Sequence, residues 1–556
     1  MPPSATKRSH QPVDVEPDDA QPWFVKDEKP LGDWLCAEGP YQDHINKLCG
    51  TNPALGHADP ENSAIPLSRR EVWVTLLRAD DSHRYHRIED LDASRKPEGL
   101  TRQLRDSPAG AKNVWIVENI NRDVVAILGE HFKMDPTFFL GYERSSKWRR
   151  YAHEPNLAPV LPTLTSSVDF FSLKYFDLRD FGPGIESYSV SCADTGRHLY
   201  RTKWNDFWIS PSIVDRSCAV YHRKTEKGGW DIVLLCDPPL RHVHVWKPHP
   251  TPEASESQYH EVSIQWDRAF QGGYPDFLPL SDSLSVQTSG PPRDSLREDV
   301  SYYLMNHANS LPTRSPPAGM DIPLFFVRKV IASHYMQVVN FTASYLAQFE
   351  WPLLRRESLE EFTTTWAQAR WSDIQGVSRR CTEYVADLES IFLSLNVPFG
   401  EPRMDPERNW GNTDLDFQFL LHRAKVIKIR ANELNNAFTG LTGIVGNAQA
   451  NREAERALNE AKRSVREAKN MKTLTLIAMI FIPLAFTCGL FSMSDNYIPG
   501  GGNFWVFFAV SVPLVLLVFS GAFLGELGYD SDGEWVWKTF IDNLSALVTR
   551  KRESMP

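Results

Sequence analysis

A surplus of positive charge is the first thing this sequence lacks. Its 60 Lys and Arg face 70 Asp and Glu, a formal charge of −10, so nucleic-acid binding driven by phosphate neutralisation is not expected. Paired cysteines are also missing. The seven (36, 49, 192, 218, 236, 381 and 488) are scattered singly with no CxxC. That pattern excludes a zinc ribbon or a disulfide framework and suits reduced thiols in a reducing compartment. No P-loop, GxSxG or HExxH occurs, so no enzyme is expected. The first residues, MPPSATKRSHQPVDVEPDDAQPW, have no apolar core, and neither a secretory leader nor a mitochondrial transit peptide is expected of them. Globular material is plentiful. With 42% hydrophobic and 23% charged residues over 556 positions, the chain suits roughly two to four domains.

A mean hydropathy of −0.37 hides two long apolar runs near the end. Leu474 to Phe491 (LTLIAMIFIPLAFTCGLF) and Phe504 to Leu524 (FWVFFAVSVPLVLLVFSGAFL) are 18 and 21 residues without a charge. As helices they extend roughly 27 to 31 Å, the thickness of a bilayer core. The twelve-residue linker Ser492 to Asn503 makes them an antiparallel transmembrane hairpin, with the lipid bilayer as a partner. Lys462, Arg463, Arg466, Lys469 and Lys472 precede the first run; Lys538, Arg550, Lys551 and Arg552 follow the second; the linker has no Lys or Arg. The expected topology is a multi-pass protein with both termini cytosolic. Trp505 and Tyr497 suit the outer interface, and Pro483 and Pro513 are tolerable inside a span when neighbours satisfy the backbone.

Upstream, helical signals accumulate. A helix is expected from Ile322 to Trp351, stopped by Pro352, and another from the capping box Ser358-Leu-Glu-Glu361 to about Asn396. Asn396 to Gly411, with Pro398, Pro402 and Pro406, reads as a loop. From Thr413 no proline occurs until Pro483. Apolar or small residues recur at Leu434, Phe438, Leu441, Val445 and Ala448, then at Leu458, Ala461, Val465 and Ala468. These steps of three and four resemble a narrow coiled-coil seam. A helix unbroken to Phe491 would be about 120 Å long. Gly440, Gly443 and Gly446 either weaken it or form a small-residue face for close contact.

The expected organisation is a flexible arm over 1–66, a cytosolic α/β domain with loop insertions over 67–312, a helical stalk over 313–470, the hairpin over 471–525 and a cytosolic tail over 526–556. The α/β reading rests on β-branched runs at 72–79 (VWVTLLRA), 113–120 (NVWIVENI), 218–223 (CAVYHR) and 230–237 (WDIVLLCD), which suit a mixed sheet. Pro- and Ser-rich stretches at 247–258, 286–297 and 310–323 read as loops. His83 with His86, and His242 with His244, are spaced as metal pairs, but no cysteine or carboxylate cluster accompanies them. Asp237-Pro238-Pro239 reads as a strand-ending turn. Regulatory metal ligands in this domain are not readable among 70 acids.

MKTLTLIAMIFIPLAFTCGLFSM (471–493) and GNFWVFFAVSVPL (502–514), with KNVWIVENI (112–120), LGEHFKMDPTFF (128–139), RSCAVYH (216–222) and GWDIVLLCDPP (229–239), resemble the CorA-like metal-ion channel superfamily, and its divergent fungal branch most of all. The resemblance implies a homopentamer whose first spans line a pore for magnesium or a related divalent cation, moved passively and not held as a cofactor. The family's Gly-Met-Asn triplet is replaced here by Ser492-Met493-Ser494. The resemblance thus implies Ser492, Met493, Ser494 and Asp495 at the outer mouth, and Met471, Leu474, Ala478, Ile482, Ala485 and Gly489 along the pore. Met471, Leu474 and Ile482 would then be apolar constrictions that gate by dewetting. Packing of that stripe against the second span is the alternative. Serine hydroxyls replace amide carbonyls in the ring, which weakens the expectation of strong magnesium selectivity. A membrane-anchored scaffold or regulatory protein that keeps the architecture without conduction is the alternative function. Plasma and vacuolar membranes are equally compatible.

Overall fold

The computed structural model describes residues 33–56, 58, 64–143, 169–181, 190–204, 207–225, 227–246, 259–264, 267–278, 290–309, 319–354, 364–403, 410–492, 499, 502–526, 537, 541–543 and 545. The chain divides into two compact units, one ending at Thr442 and the other beginning at Gly443.

The first unit is built on one mixed sheet. Its strands are β1 (Trp73–Ala79), β2 (Tyr85–Asp92), β3 (Lys112–Glu118), β4 (Phe170–Asp180), β5 (Val190–Cys192), β6 (His198–Trp204), β7 (Phe207–Lys224), β8 (Trp230–Cys236), β9 (His242–Trp246), β10 (Tyr259–Ser263) and β11 (Arg268–Ala269). They run in the order β10-β9-β5-β6-β7-β8-β3-β1-β2, while β4 pairs separately with β7 and β11. The pair β3–β8 is parallel, in register from Lys112 opposite Trp230 to Glu118 opposite Cys236. Every residue of β8 is buried, because both faces of a central strand are covered and a continuous apolar run is then favoured. At the edge, β2 (YHRIEDLD) keeps its charges in solvent.

The turn between β1 and β2 explains one histidine of a suspected metal pair. The Asp80 carboxylate accepts from the amides of Ser82 (2.8 Å) and Arg84 (2.9 Å), and His83 takes up a left-handed φ of 59°. This is the side-chain-to-backbone closure that Asp provides in turns. The Arg84 amide and the Ser82 hydroxyl hold the Asp80 carboxyl down at about 2.

One face of the sheet carries α1 (Pro40–Leu48), α2 (Pro97–Arg105), α3 (Arg122–Phe132) and α4 (Thr137–Glu143). Asn121 caps α3 by accepting from the amide of Val124 at 2.8 Å. Part of the stretch expected to be a flexible arm is folded here. Leu35, Cys36, Tyr41 and Ile45 are buried in this core, since Tyr41 and Ile45, four apart, share one helix face. Tyr41 lies against Gly129 of α3, where an added Cβ would meet the ring 2.1 Å away, and its hydroxyl donates to the carbonyl of Met134 at 3.0 Å. Gly129→Ala is therefore expected to lower stability by about 1–3 kcal/mol through overpacking, despite alanine's better helix propensity. Thermal unfolding would check it.

The opposite face carries α5 (Leu296–His307), α6 (Asp321–Leu354), α7 (Thr364–Leu395) and the beginning of α8 (Thr413–Phe491). α5 falls partly in a stretch read as loop; Ser295 caps it by accepting from the amide of Glu298 at 3.3 Å. α6 runs past Pro352 instead of stopping before it. That proline sits in the last turn, where a missing N–H removes one helical bond and no more. The capping box 358–361 lies outside the described residues, as does the loop centre 404–409. Ile427, Ala431, Leu434 and Phe438 of α8 pack against Val339, Leu346 and Phe349 of α6 and Ile374 and Val377 of α7. Two ion pairs reinforce that contact: Lys329 Nζ to Asp416 Oδ2 at 2.6 Å, and a bidentate pair of Arg430 with Glu350. The seam expected of this helix is thus occupied by neighbours of the same chain over its first turns.

The second unit contains the rest of α8 and α9 (Trp505–Glu526). α8 is continuous through Gly440, Gly443 and Gly446, and a Cβ at any of the three would meet no neighbouring atom within 4 Å. From 448 to 470 every residue is exposed, Leu458 and Val465 included. Arg463 and Glu467 form an i,i+4 pair at 3.4 Å, a contact worth little in solvent.

Candidate functional site

Two helices in the second unit are long and apolar enough to cross a membrane: the end of α8 and Trp505–Leu524. Their packing is fixed by a small set of residues. Ser511 Oγ donates to Thr487 Oγ1 at 2.9 Å, and both side chains are buried. Thr487 in turn donates to the carbonyls of Pro483 (3.1 Å) and Leu484 (3.0 Å). No water is at hand inside a bilayer, so hydroxyls in a span are kept by such internal bonds. Near the linker, Phe491 meets Phe507 edge-on at 6.2 Å. Phe504, Phe507 and Phe508 form one aromatic group there, and Trp505 is exposed.

The side of α8 turned to α9 therefore carries Pro483 and Thr487. At about 100° per residue, Met471, Leu474, Ala478, Ile482, Ala485 and Gly489 fall on the opposite side. Five of the six are exposed within one chain and Ala478 is half-buried. Ser492, one turn beyond Gly489, is exposed; its hydroxyl donates to the Gly489 carbonyl at 3.0 Å and its amide to the Cys488 carbonyl at 3.0 Å. Met493, Ser494 and Asp495, expected at the outer mouth, lie outside the described residues, as do Tyr497, Lys538 and the basic tail at 550–552. The Thr487–Ser511 contact was not anticipated. Its signal in the sequence is weak, since Thr475 and Ser520 are small polar residues in the same two runs.

Elsewhere the suspected pairs do not assemble. Among the described residues no three His, Cys, Asp or Glu side chains gather as metal ligands. His86 Nε2 lies 3.5 Å from Asp80 on the solvent side of the turn, and His242 and His244 stand on β9 opposite Ser263 and Glu261. Asp237 does follow the end of β8, but as one half of a buried ion pair with Arg197 at 2.7 Å.

A family model described as CorA-like Mg2+ transporter protein matches residues 416–524, which span most of α8, the linker and α9. The quoted segments at 112–139 and 216–239 lie outside that match. No curated protein matches the chain. Among solved structures, the full-length CmaX protein aligns at 11% identity over 81% of this chain and 98% of its own, with a TM-score of 0.31. The CorA magnesium transporter from Methanocaldococcus jannaschii aligns at 11% identity over 80% and 96%, with a TM-score of 0.29. The family match and the two apolar helices support a membrane protein. Over residues 416–524 the chain is similar to the CorA-like Mg2+ transporter family.

Proposed function

We propose that the protein is a passive, homo-oligomeric channel for magnesium or a related divalent cation, with both termini in the cytosol. What supports this most is the family-matched first span, whose stripe from Met471 to Gly489 faces away from the hairpin contact. A helix that leaves one face clear of its own partner has that face for other copies or for a pore. Five copies, as the family resemblance implies, would bring the stripe together around an axis, with Ser492, Met493, Ser494 and Asp495 at its outer end. A ring of Asp495 would concentrate cations at the mouth. An inside-negative potential helps inward flow: each charge gains about 2.3 kcal/mol per 100 mV, so a divalent ion gains about 4.6.

A second reading is favoured by one observation, the Ser-Met-Ser sequence at 492–494 where the family carries Gly-Met-Asn. It is an anchored scaffold that kept the hairpin and lost conduction. Flux of magnesium, cobalt, nickel and zinc into proteoliposomes separates the two, with Ser492→Gly/Ser494→Asn as the comparison. Flux through the unaltered protein is expected. A silent protein beside a conducting variant would overturn the channel and leave an intact scaffold without its filter.

A further inference from the structure

A buried polar cluster in the first unit takes no part in the proposed conduction. Tyr175, Asp177 and Arg179 alternate along β4 and so share one face of the sheet. Arg216 lies on β7 opposite Tyr175, Asp237 follows β8, Ser295 and Asp299 open α5, and His334 belongs to α6. Together they line a polar cavity with about 10 Å³ of free space. That is room for one water molecule and nothing larger.

Most of the hydrogen-bonding capacity around this space is used. Asp177 Oδ2 accepts from Arg179 Nε at 2.6 Å, and Arg179 Nη2 donates to the carbonyl of Asp294 at 2.6 Å. Asp237 Oδ2 accepts from Arg197 Nε (2.7 Å) and from the amide of Ser217 (2.8 Å). Asp299 accepts from the Tyr274 hydroxyl (2.8 Å) and the amide of Arg293 (2.7 Å), and Arg216 Nη1 donates to the carbonyl of Pro238 at 2.7 Å. Among the lining residues three atoms remain over: Arg179 Nη1, Asp237 Oδ1 and His334 Nδ1 have no hydrogen-bond partner, and neither has Asp267 Oδ1 beside Arg179. Their side chains are 2%, 0% and 7% exposed. Arg179 Nη1 stands 3.7 Å from Asp267, and His334 Nδ1 stands 3.5 Å from Asp177, too far for good bonds. A buried polar atom left unmatched loses its hydration with nothing in return, so three on one cavity point to something that matches them.

Charge decides what that is. The groups in and against the cavity are the guanidiniums of Arg179, Arg197, Arg216 and Arg293 and the carboxylates of Asp177, Asp237, Asp267 and Asp299, four of each sign. Burial pushes the His334 imidazole down to about 4 against the pull of Asp177, so it adds no charge at neutral pH. Burial raises Asp299 to about 6 against its bonds from Tyr274 and Arg293, which leaves it ionised above that pH. An anion here would face three lining carboxylates, and a cation would face two lining guanidiniums. A neutral molecule that both donates and accepts meets neither objection.

We propose that this cavity binds a single structural water, which accepts from Arg179 Nη1, donates to Asp237 Oδ1 and engages His334 Nδ1, and so joins the sheet to α6. A crystal or electron cryomicroscopy structure of the full-length protein at about 2 Å or better tests it. One spherical peak is expected within about 2.6–3.2 Å of Arg179 Nη1 and Asp237 Oδ1, unaltered when bromide replaces chloride. Loss of the peak is expected in His334→Leu, with retention in His334→Gln, which keeps a polar end. No peak, with Arg179 closing directly onto Asp267, would overturn the proposal, and so would anomalous bromide signal at the site. A full-strength peak in His334→Leu would remove α6 from the bridge and overturn it too.

Discussion

Asp177→Asn is expected to cost about 3–5 kcal/mol of folding stability at neutral pH, the usual penalty for removing one member of a buried charge cluster. The carboxylate faces Arg179 Nε at 2.6 Å and Arg216 Nε at 3.8 Å, and the arginine side chains are 2% and 4% exposed. The amide still accepts a bond from Arg179, but it leaves two guanidiniums short of an anion where water cannot replace it. The same residue sets a pH dependence. Burial alone would raise its carboxyl, yet Arg179, His334 and Arg216 outweigh burial and hold it at about 2, below the ordinary 3.8. A depressed folded-state value means that the contribution is fully present above about pH 4 and disappears as pH falls through about 2. Its size is about 2 kcal/mol. Urea unfolding followed by tryptophan fluorescence, at neutral pH and then down the acid limb, should show both effects. The variant should be destabilised at neutral pH and should lack that part of the acid loss. A cost below about 1 kcal/mol, the range of an exposed pair such as Arg463–Glu467, would mean that this cluster does not hold the sheet to the helices.

That cluster is also the clearest case of what could not be read in the sequence. Its members stand at 177, 179, 197, 216, 237, 267, 293, 299 and 334, and beyond the alternation of 177 and 179 on β4 nothing in local spacing joins them. A polar residue in a strand reads as solvent-facing, so Asp177 and Arg179 argued against burial when the fold buries both. The strands that were legible are those without such conflict. β3 and β8 carry unbroken apolar runs (VWIV and IVLLC), because helices cover both faces. α5 is masked in the sequence, although Ser295 and Glu298 have the spacing of a helix start, because the prolines and serines before it carry the signature of a loop. α1 was missed because nine residues in a Pro- and Asp-rich stretch give little periodicity, and its anchor, the close approach of Tyr41 to Gly129, is a tertiary fact. The two apolar helices and the proline-free helical stretch before them were plain from composition; the continuity of α8 through Gly440, Gly443 and Gly446 was not. How the hairpin closes was not, since the register of Thr487 against Ser511 depends on the path of the linker.

The second large effect is expected in conduction, and the distribution of cysteines makes it measurable. Of the seven, Cys488 alone is exposed; the other six are buried. Cys488→Ser should therefore give a background silent to a water-soluble, positively charged thiol reagent. Into it we would place Ala485→Cys or Gly489→Cys on the stripe, and Leu490→Cys off it. Leu490 is exposed within one chain as Ile482 is, 55% against 68%, but lies about 100° around the helix from Gly489 and about 80° from Ile482. Exposure in a single chain thus does not separate a pore-facing residue from a lipid-facing one. Water access in the assembled protein does. If the stripe lines a pore, the reagent reaches positions 485 and 489 and adds fixed positive charge on the ion path, in every copy. Cation flux should then fall to near background while Leu490→Cys, off the ion path, stays unmodified and conducting. Modification of 490 with protection of 485 and 489 would turn the helix round and place the stripe against other helices or lipid. Protection of all three positions in a correctly inserted oligomer would remove the aqueous pathway altogether and leave the anchored scaffold as the function of this hairpin.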